Sequence, residues 1–326
     1  MGQKKTRGTQ TLKRIAWLII LVVPTFVQAA QLAYITNQGS NTVSVIDLSN
    51  RQLVTNIAVG KEPVGIAIAQ KQQRVYISNV LSRSVSIIDM KTNKVTGEIA
   101  LDIAPVGLAV TPNGKTLMVA DWYHGRILFY DTVKNVKQGD LLVGKAPSGM
   151  VVSRDSSQLF VADRDSDDVV VIDIKSAKVL RHIPVERHPY GLALNADGSV
   201  LYVVNVESNS VSAIDTKNSK VTANIKVGEH PYCVTVSPDG AWIYVTNTGG
   251  DSVSVIDVAQ GKAITKISVD GFPEGIAYDV TNKQIIATSW LEDSITIIDP
   301  VTNRKVKSIA TGSKSRSFGQ FIGNTD

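Results

Sequence analysis

The chain has 326 residues, with 34 Lys or Arg, 29 Asp or Glu, and a formal net charge of +5. Its first thirty residues hold five of the basic residues and no acidic one, so the rest of the chain carries 29 charges of each sign. Binding to a phosphate backbone needs a basic face on the folded protein, and this balance does not indicate one. The only cysteine is Cys233, which excludes an internal disulfide and a cysteine-based metal site.

The N-terminus predicts a secretory signal peptide over residues 1–29. Basic residues precede an apolar run from Ile15 to Val23, and Val27-Gln28-Ala29 is typical of a cleavage site. That run is shorter than the roughly 20 residues of a membrane-spanning helix, so an uncleaved anchor is the less favoured alternative. We therefore expect an exported protein, periplasmic or secreted, with no membrane attachment after cleavage and one domain over residues 30–326.

From Gln31 onward the chain predicts short β-strands separated by turns. Residues 32–36, 42–46, 51–59 and 63–67 are rich in β-branched and aromatic residues, and Gly, Asn, Asp, Ser and Pro fill the gaps. The four-strand unit then recurs every 42 residues. Its closing aspartates are Asp47, Asp89, Asp131, Asp173, Asp215, Asp257 and Asp299. Its prolines are Pro63, Pro105, Pro147, Pro189, Pro231 and Pro273, with Ser315 at the seventh position.

Self-similarity at this fixed step is typical of arrays of four-stranded blades. We predict an all-β, seven-bladed β-propeller with four antiparallel strands per blade. The first repeat begins at the second strand of a blade, and residues 316–321 align with the strand that contains the proline. We therefore expect the C-terminal strand to join the N-terminal blade as its innermost strand and so close the ring.

The runs Tyr34–Asn37, Tyr76–Asn79 and Tyr244–Asn247, each followed by Val-Ser-Val/Ile-Ile-Asp, resemble the YVTN β-propeller repeat family. Among its exported bacterial members the chain is similar to the YncE-like periplasmic propellers, over residues 31–322. The resemblance implies a seven-bladed propeller and, for many members, no assigned enzyme activity. Related propellers include lactonases, streptogramin lyase and the heavy subunit of methylamine dehydrogenase, so the fold does not decide the function.

Several recurring residues have structural interpretations. The closing aspartates are expected to cap turns, and most of the residues that end the preceding strand are expected to cap the loop that follows. These strand-ending residues are Asn37, Asn79, Asp121, Asp163, Asn205, Asn247 and Ser289. Cys233 replaces a glycine where blades crowd, which indicates a small buried thiol.

Two segments resemble ligand-binding loops without matching them. Residues 139–146 nearly match a phosphate-binding loop but lack its Ser/Thr and fall in a predicted outer strand. Residues 163–168 begin like a calcium loop but lack the sixth-position glycine and the terminal glutamate, and we interpret them as a solvated acidic loop.

The loop after each Tyr-Val-Thr-Asn strand and the loop before each proline open on the same rim. Residues there that break the repeat are the candidate binding residues, because the scaffold does not explain them. They are Trp122, Tyr123, His124, Arg164, His188, Tyr190, His230, Tyr232, Glu274, Trp290 and Arg316.

The sequence favours a monomeric module that binds a small ligand or a periplasmic protein through this rim, without catalysis, cofactor or metal. One alternative is a hydrolase or lyase of the lactonase or streptogramin-lyase type, with His188 or His230 as acid/base near Glu274. Another is single-stranded DNA stacked on rim aromatics, which the zero net charge disfavours. A metal site on His124, His188 and His230 is not favoured, because equivalent positions on neighbouring blades simply repeat and no carboxylate or cysteine stands at a diagnostic spacing.

Overall fold

A computed structural model describes residues 1–3 and 31–325. Nearly all of the predicted signal peptide therefore lies outside the described residues. The remainder forms seven sheets, and apart from three single-turn 3₁₀ helices all of its regular elements are strands. The predicted seven-bladed β-propeller is confirmed.

The first four blades have the following strands. They are β1 Gln31–Asn37, β2 Thr42–Asp47 and β3 Gln52–Ala58; β4 Pro63–Ala69, β5 Arg74–Asn79, β6 Ser84–Asp89 and β7 Lys94–Ala100; β8 Pro105–Val110, β9 Thr116–Asp121, β10 Arg126–Asp131 and β11 Val136–Leu142; and β12 Pro147–Val152, β13 Gln158–Asp163, β14 Asp168–Asp173 and β15 Lys178–Pro184.

The last three blades and the C-terminal segment continue the pattern. They are β16 Pro189–Leu194, β17 Val200–Asn205, β18 Ser210–Asp215 and β19 Lys220–Lys226; β20 Pro231–Val236, β21 Trp242–Asn247, β22 Ser252–Asp257 and β23 Lys262–Ser268; β24 Pro273–Asp279, β25 Gln284–Ser289, β26 Ser294–Asp299 and β27 Arg304–Ala310; and β28 Phe318–Gly319 and β29 Ile322–Asn324. The 3₁₀ turns are Gln70–Gln72, Arg164–Ser166 and Thr248–Gly250.

The innermost strands of neighbouring blades approach each other closely around the axis. A Cβ on Gly65 would lie 2.1 Å from the carbonyl oxygen of Val106, so the glycine two residues after the proline is what permits this approach. Cys233 takes the equivalent place in blade 6 and is buried, as expected, with its N–H donated to Thr246 Oγ1. Residues 139–142 of the phosphate-loop lookalike belong to outer strand β11.

The seven closing aspartates cap turns, as predicted. Asp47 Oδ1 accepts the N–H groups of Ser49 and Asn50, and Asp215 Oδ1 accepts that of Asn218. Equivalent bonds are made by Asp89, Asp131, Asp173, Asp257 and Asp299. Their positions on the turns of the opposite rim explain the strict spacing without any catalytic role.

The residues that end the second strand of each blade were expected to cap the loop that follows, but in four blades they bind the next strand instead. Asn79 Nδ2 donates to Ser84 Oγ at 3.1 Å and to Ser86 Oγ at 2.9 Å, across to the next strand rather than into the loop. We call this arrangement the Asn–hydroxyl latch. Asn37, Asn205 and Asn247 make the same latch. Loop N–H groups are accepted at this position by Asp121, from His124, and by Ser289, from Glu292.

The C-terminal segment closes the ring, with one correction to the predicted strand. The strand that pairs with β1 as the innermost strand of blade 1 is Ile322–Asn324, whereas within the predicted 316–321 only Arg316 and Phe321 form backbone hydrogen bonds with β1. Ser315 bridges Asn37, and Ile322 pairs with Ala33, so seven steps of the C-terminal segment face four steps of β1. The surplus bulges away from β1, and there Phe318 and Gly319 pair in parallel with β4 of blade 2.

Phe321 gives a direct test of closure, because its side chain is fully buried and its carbonyl accepts the N–H of Tyr34. Phe321→Ala should lower the free energy of unfolding by about 3–5 kcal/mol, through lost apolar burial and the cavity left behind. Urea denaturation measures this. The control is Val301→Ala, at a residue 88% exposed, which should change stability by less than about 0.5 kcal/mol. Equal effects of the two substitutions would contradict the closure.

Candidate functional site

The site is built at the position that follows each repeat proline, where the innermost strands reach the candidate rim. The seven residues are Val64, Val106, Ser148, Tyr190, Tyr232, Glu274 and Arg316. The first three are small, and the last four are large and polar. The ring is therefore asymmetric, with its long side chains on the blade 5 to blade 7 side and on the closing segment.

An ion pair anchors this group of side chains. Arg316 Nε lies 2.5 Å from Glu274 Oε2, and its Nη2 lies 3.0 Å from Oε1, so the guanidinium meets the carboxylate in a bidentate arrangement. Nη2 also donates to the Tyr232 hydroxyl at 2.9 Å, and Nη1 to Gln38 Oε1 at 3.2 Å. The Tyr232 hydroxyl donates in turn to that of Tyr190 at 2.8 Å.

Aromatic rings pack beside the polar chain. The ring centroids of Tyr190 and Tyr232 are 4.3 Å apart, and Phe318 lies 4.7 Å from Tyr190. Trp122, from the rim of blade 3, lies 6.2 Å from Tyr190 of blade 5. Contacts between side chains of non-adjacent blades place these rings over the axis. We call Gln38, Tyr190, Tyr232, Glu274, Arg316 and Phe318 the funnel floor.

Phe318 reaches the axis because of the bulge in the closing segment. It pairs with Gly65 of blade 2, and β28 also contacts the innermost strands of blades 3, 4 and 7. Gly319 has φ +132°, and a Cβ there would lie 2.1 Å from the carbonyl oxygen of Ile66, so glycine is required for this close approach. The chain end therefore both closes the ring and crosses its centre.

Burial sets the electrostatics of the floor. The Glu274 side chain is 4% exposed and that of Arg316 is 19% exposed. Desolvation opposes the charge on Arg316, but the phenolic oxygen of Tyr232 and the carboxylate of Glu274 outweigh it and raise the pKa of Arg316. Burial raises the pKa of Tyr190 to about 12 and that of Tyr232 well above its usual range. Both phenols are therefore neutral hydrogen-bonding groups at physiological pH.

Two clefts flank the floor, and each contains a tryptophan with a cation over its ring. The blade 3–4 cleft encloses about 420 Å³. Its lining is Trp122, Tyr123, His124, Gly125, Gly144, Lys145, Ala146 and Asp165. Arg164 Cζ lies 5.9 Å from the Trp122 ring centroid.

The blade 1 cleft encloses about 430 Å³. Its lining is Gln38, Gly39, Asn41, Lys61, Glu62, Leu81, Trp290 and Lys314. Lys314 Nζ lies 5.0 Å from the Trp290 ring centroid, and Phe272 packs against the same ring at 5.8 Å. Trp290 Nε1 points to Gln38 Oε1 at 3.5 Å, which connects this cleft to the funnel floor.

The three rim histidines do not meet. His124 Nδ1 lies 2.9 Å from both oxygens of Asp121, and His188 Nδ1 lies 3.5 Å from Glu207 Oε1. His230 is exposed, and its backbone bonds to Asn209 and Thr248. Within residues 1–3 and 31–325, no group of three or more His, Cys, Asp or Glu is placed to hold a metal ion. In that same part of the chain, no helix is long and apolar enough to cross a membrane.

The repeat architecture and its closure agree with a family model described as "YNCE-like beta-propeller", which matches residues 20–318. The chain belongs to this family. No protein with a curated description matches the chain.

Solved structures similar to this YncE-like propeller share its fold at low sequence identity. A functionally unknown protein from Desulfotomaculum acetoxidans DSM 771 has a TM-score of 0.79 and 15% identity, over 90% of this chain and 99% of that one. Kuenenia stuttgartiensis hydrazine synthase has a TM-score of 0.72 and 20% identity, over 82% and 91%. Dihydro-heme d1 dehydrogenase NirN, in complex with DHE, has a TM-score of 0.68 and 14% identity, over 87% and 74%. These identities carry the likeness of fold alone.

Of the residues singled out in the sequence, Tyr190, Tyr232, Glu274 and Arg316 come together in the floor of this YncE-like propeller. Trp122 and Arg164 border it, and Trp290 joins through Gln38. Tyr123 and the histidines lie farther out on the rim. Three contributors were missed: Gln38, Lys314 and Phe318. Gln38 holds the same position in its repeat as Trp122 and Trp290 do in theirs, so the 42-residue repeat could have identified it as a site residue.

The ion pair at the floor can be tested by a double-mutant cycle in urea denaturation. Glu274→Gln leaves the mostly buried guanidinium without its counter-charge and should cost about 3 kcal/mol of stability. The E274Q/R316Q double substitution should cost clearly less than the sum of the two single ones. Glu292→Gln, at an exposed rim glutamate, is the control and should be near neutral. Additive losses in the cycle would contradict the ion pair.

Proposed function

We propose that the protein is an exported, monomeric binding module that holds a small ligand or a segment of a partner protein on its funnel floor and the two flanking clefts. It acts by stacking and hydrogen bonding on a preformed surface and performs no chemistry. The predicted signal peptide supports the export. The proposal rests mainly on how the polar groups of the floor are used.

Those polar groups are occupied by one another. Both oxygens of Glu274 bind the Arg316 guanidinium, and two of its other N–H donors bind Tyr232 and Gln38. Burial raises the pKa of Glu274, and the Arg316 cation opposes that rise. A carboxylate engaged in this way is held in an ion pair and is not a free general base. A floor fixed by such bonds loses little conformational freedom when a ligand binds, and that favours recognition.

The clefts supply the contact surface. Tryptophan carries much of the binding energy at protein interfaces, and each cleft has one with its ring held against a cation. Tyr123 at the blade 3–4 cleft is 71% exposed, and Leu81 at the blade 1 cleft is 62% exposed. Lys145, Lys61 and Lys314 line the same clefts. The combination suits ligands that offer flat or apolar groups together with carboxylates.

The hydrolase or lyase alternative is less well supported. It needs His188 or His230 beside Glu274, but the nearest acidic partner of His188 is Glu207, and Glu274 is held by Arg316. Both histidines also have positive φ, 56° and 47°, as do Glu62, Ala146 and Phe272 before their own prolines, so both occupy a position of the repeated turn. Single-stranded DNA is not favoured either, because the chain after the leader has no net charge.

Site-specific photo-crosslinking tests the binding surface in living cells. A benzophenone amino acid in place of Tyr123 should give a discrete adduct, because this side chain projects from the blade 3–4 cleft. Trp122→Ala should reduce the adduct about tenfold or more by removing the principal stacking surface. The matched control is the same probe at Val301, which is exposed on a turn of the opposite rim and should give no such adduct.

Native mass spectrometry of the purified protein would detect a bound small ligand that forms no crosslink. It should show a mass excess that denaturation removes and that Trp122→Ala or Trp290→Ala weakens. The same adducts at both probe positions, or no adduct and no mass excess, would contradict the proposal. Turnover of a lactone panel that His188→Asn/His230→Asn abolishes would favour the enzyme instead.

A further inference from the structure

Blade 4 departs from the Asn–hydroxyl latch in a chemically unusual way. Asp163 stands where four other blades have Asn, and Asp168, its cross-strand partner, stands where they have Ser or Thr. In those four blades the amide Nδ2 reaches the partner hydroxyl at 3.0–3.1 Å. Two carboxyl groups therefore occupy places that normally hold a donor and an acceptor in contact.

Blade 3 shows how the same departure is compensated elsewhere. Asp121 also replaces the latch asparagine, but its partner position holds Arg126, whose Nη2 lies 2.9 Å from Asp121 Oδ2. His124 Nδ1 binds the same carboxylate at 2.9 Å. The charge of Asp121 is thus paired, and blade 4 has no such compensation.

The Asp163 carboxyl group is buried without a partner. The residue has no exposed surface, and neither of its oxygens accepts a hydrogen bond from any described residue. Our interpretation of residues 163–168 as a solvated loop is therefore wrong for Asp163. Asp168 Oδ1 is likewise buried and unpartnered, while its Oδ2 accepts from His182 Nδ1 at 2.8 Å. An ionised carboxylate in such a place would be strongly destabilising.

We propose that Asp163 and Asp168 hold one proton between them in the folded protein, so that blade 4 has an acid–carboxylate latch in place of the Asn–hydroxyl latch. The protonated Asp163 donates to Asp168 Oδ1, which provides both orphaned groups with a partner. His182 Nδ1 binds the other oxygen of Asp168, and no described residue binds Asp163 in a comparable way.

The charged and titratable groups around Asp163 are engaged elsewhere. Arg164 pairs with Asp165 and lies over Trp122, and Asp167 Oδ1 accepts the N–H of His188 from blade 5. Lys145, in the loop before β12, is exposed; its N–H donates to Ser166 Oγ, and its carbonyl accepts the N–H of Asp165. Consistent with this setting, burial first and the charge of Asp168 second raise the pKa of Asp163 to about 8.

The latch is directly connected to the blade 3–4 cleft. The turn Arg164–Ser166 follows Asp163, and Gly144 of the cleft wall lies so close that a Cβ there would be 2.3 Å from Asp163 Oδ2. Loss of the proton would put two negative charges beneath this wall. Deprotonation at alkaline pH should therefore loosen the packing of Gly144 against Asp163.

The pH dependence follows from linkage. Asp163 is more basic in the folded protein than its ordinary value of 3.8, so the stabilisation from its proton is complete below that value and is lost as the pH rises through about 8. Asp163→Asn removes the titration, because the asparagine keeps a permanent donor toward Asp168. Asp163→Asn/Asp168→Ser restores the first bond of the latch, that between the amide and its cross-strand hydroxyl, while Val170 stands where the other four blades have the second hydroxyl.

Unfolding midpoints in urea, measured from about pH 5 to about pH 10, test this. The stability of the wild type relative to Asp163→Asn should fall as the pH rises to about 8 and level off above it, and Asp163→Asn/Asp168→Ser should run parallel to Asp163→Asn. Infrared spectroscopy of the wild type at neutral pH should show a protonated carboxylic acid band that Asp163→Asn abolishes. Asp121→Asn, at the compensated carboxylate of blade 3, should leave the band in place.

Three results would overturn the proposal. One is a wild-type protein without the acid band at neutral pH, and another is identical pH profiles for the wild type and Asp163→Asn. The third is stabilisation of the wild type by calcium chloride that Asp163→Asn removes, which would show that the carboxylates bind a cation rather than a proton. Hydrogen exchange of residues 161–168, compared between the two proteins at about pH 9, should be faster in the wild type if the latch loosens there.

Discussion

The backbone hydrogen bonds between β1 and the C-terminal segment are the constraint on which the rest of this propeller depends. Without them β1 would be an unpaired edge facing the central channel, and blade 1 would lack its innermost strand. Each of the other six blades is continuous in sequence, so this is the one join that draws on both ends of the array. The join also delivers Arg316 and Phe318 to the axis. Ring closure and assembly of the funnel floor are therefore a single structural event.

Some positions of the repeat serve the scaffold, and others form the candidate site. Positions that cap turns or permit close approach of strands are filled almost uniformly, because every blade meets the same demands. The positions after each proline vary, and their long polar side chains gather on one side of the ring. Blades 3 and 4 vary again at the latch position, where an aspartate carboxyl group replaces an asparagine amide. Departures from the repeat thus border the funnel floor and the blade 3–4 cleft.

The fold and most of the funnel floor could be predicted from the sequence. Residues 42 apart occupy equivalent positions in successive blades, so their side chains lie at the same level along the axis and point the same way. That is why Tyr190, Tyr232, Glu274 and Arg316 could be placed on one rim before any contact was known. The position of Phe318 could not be predicted in this way. Its equivalents in other blades, such as Ile66, are core residues, and the bulge that moves Phe318 to the axis is not part of the repeating pattern. The latch was missed for a related reason. Asparagine caps loops and bridges strands equally well, and only the cross-strand register distinguishes the two.

Hydrogen exchange at the Tyr34 amide tests the central claim most directly. This N–H lies in β1 and donates to the Phe321 carbonyl at 2.9 Å, across the join of the two chain ends. If the ring is closed as described, the Tyr34 amide should be protected as strongly as the amides of central strands such as β13 and β17, exchanging only with global unfolding. Exchange of Tyr34 at the rate of an exposed edge amide, while those strands stay protected, would show an open ring and contradict the account.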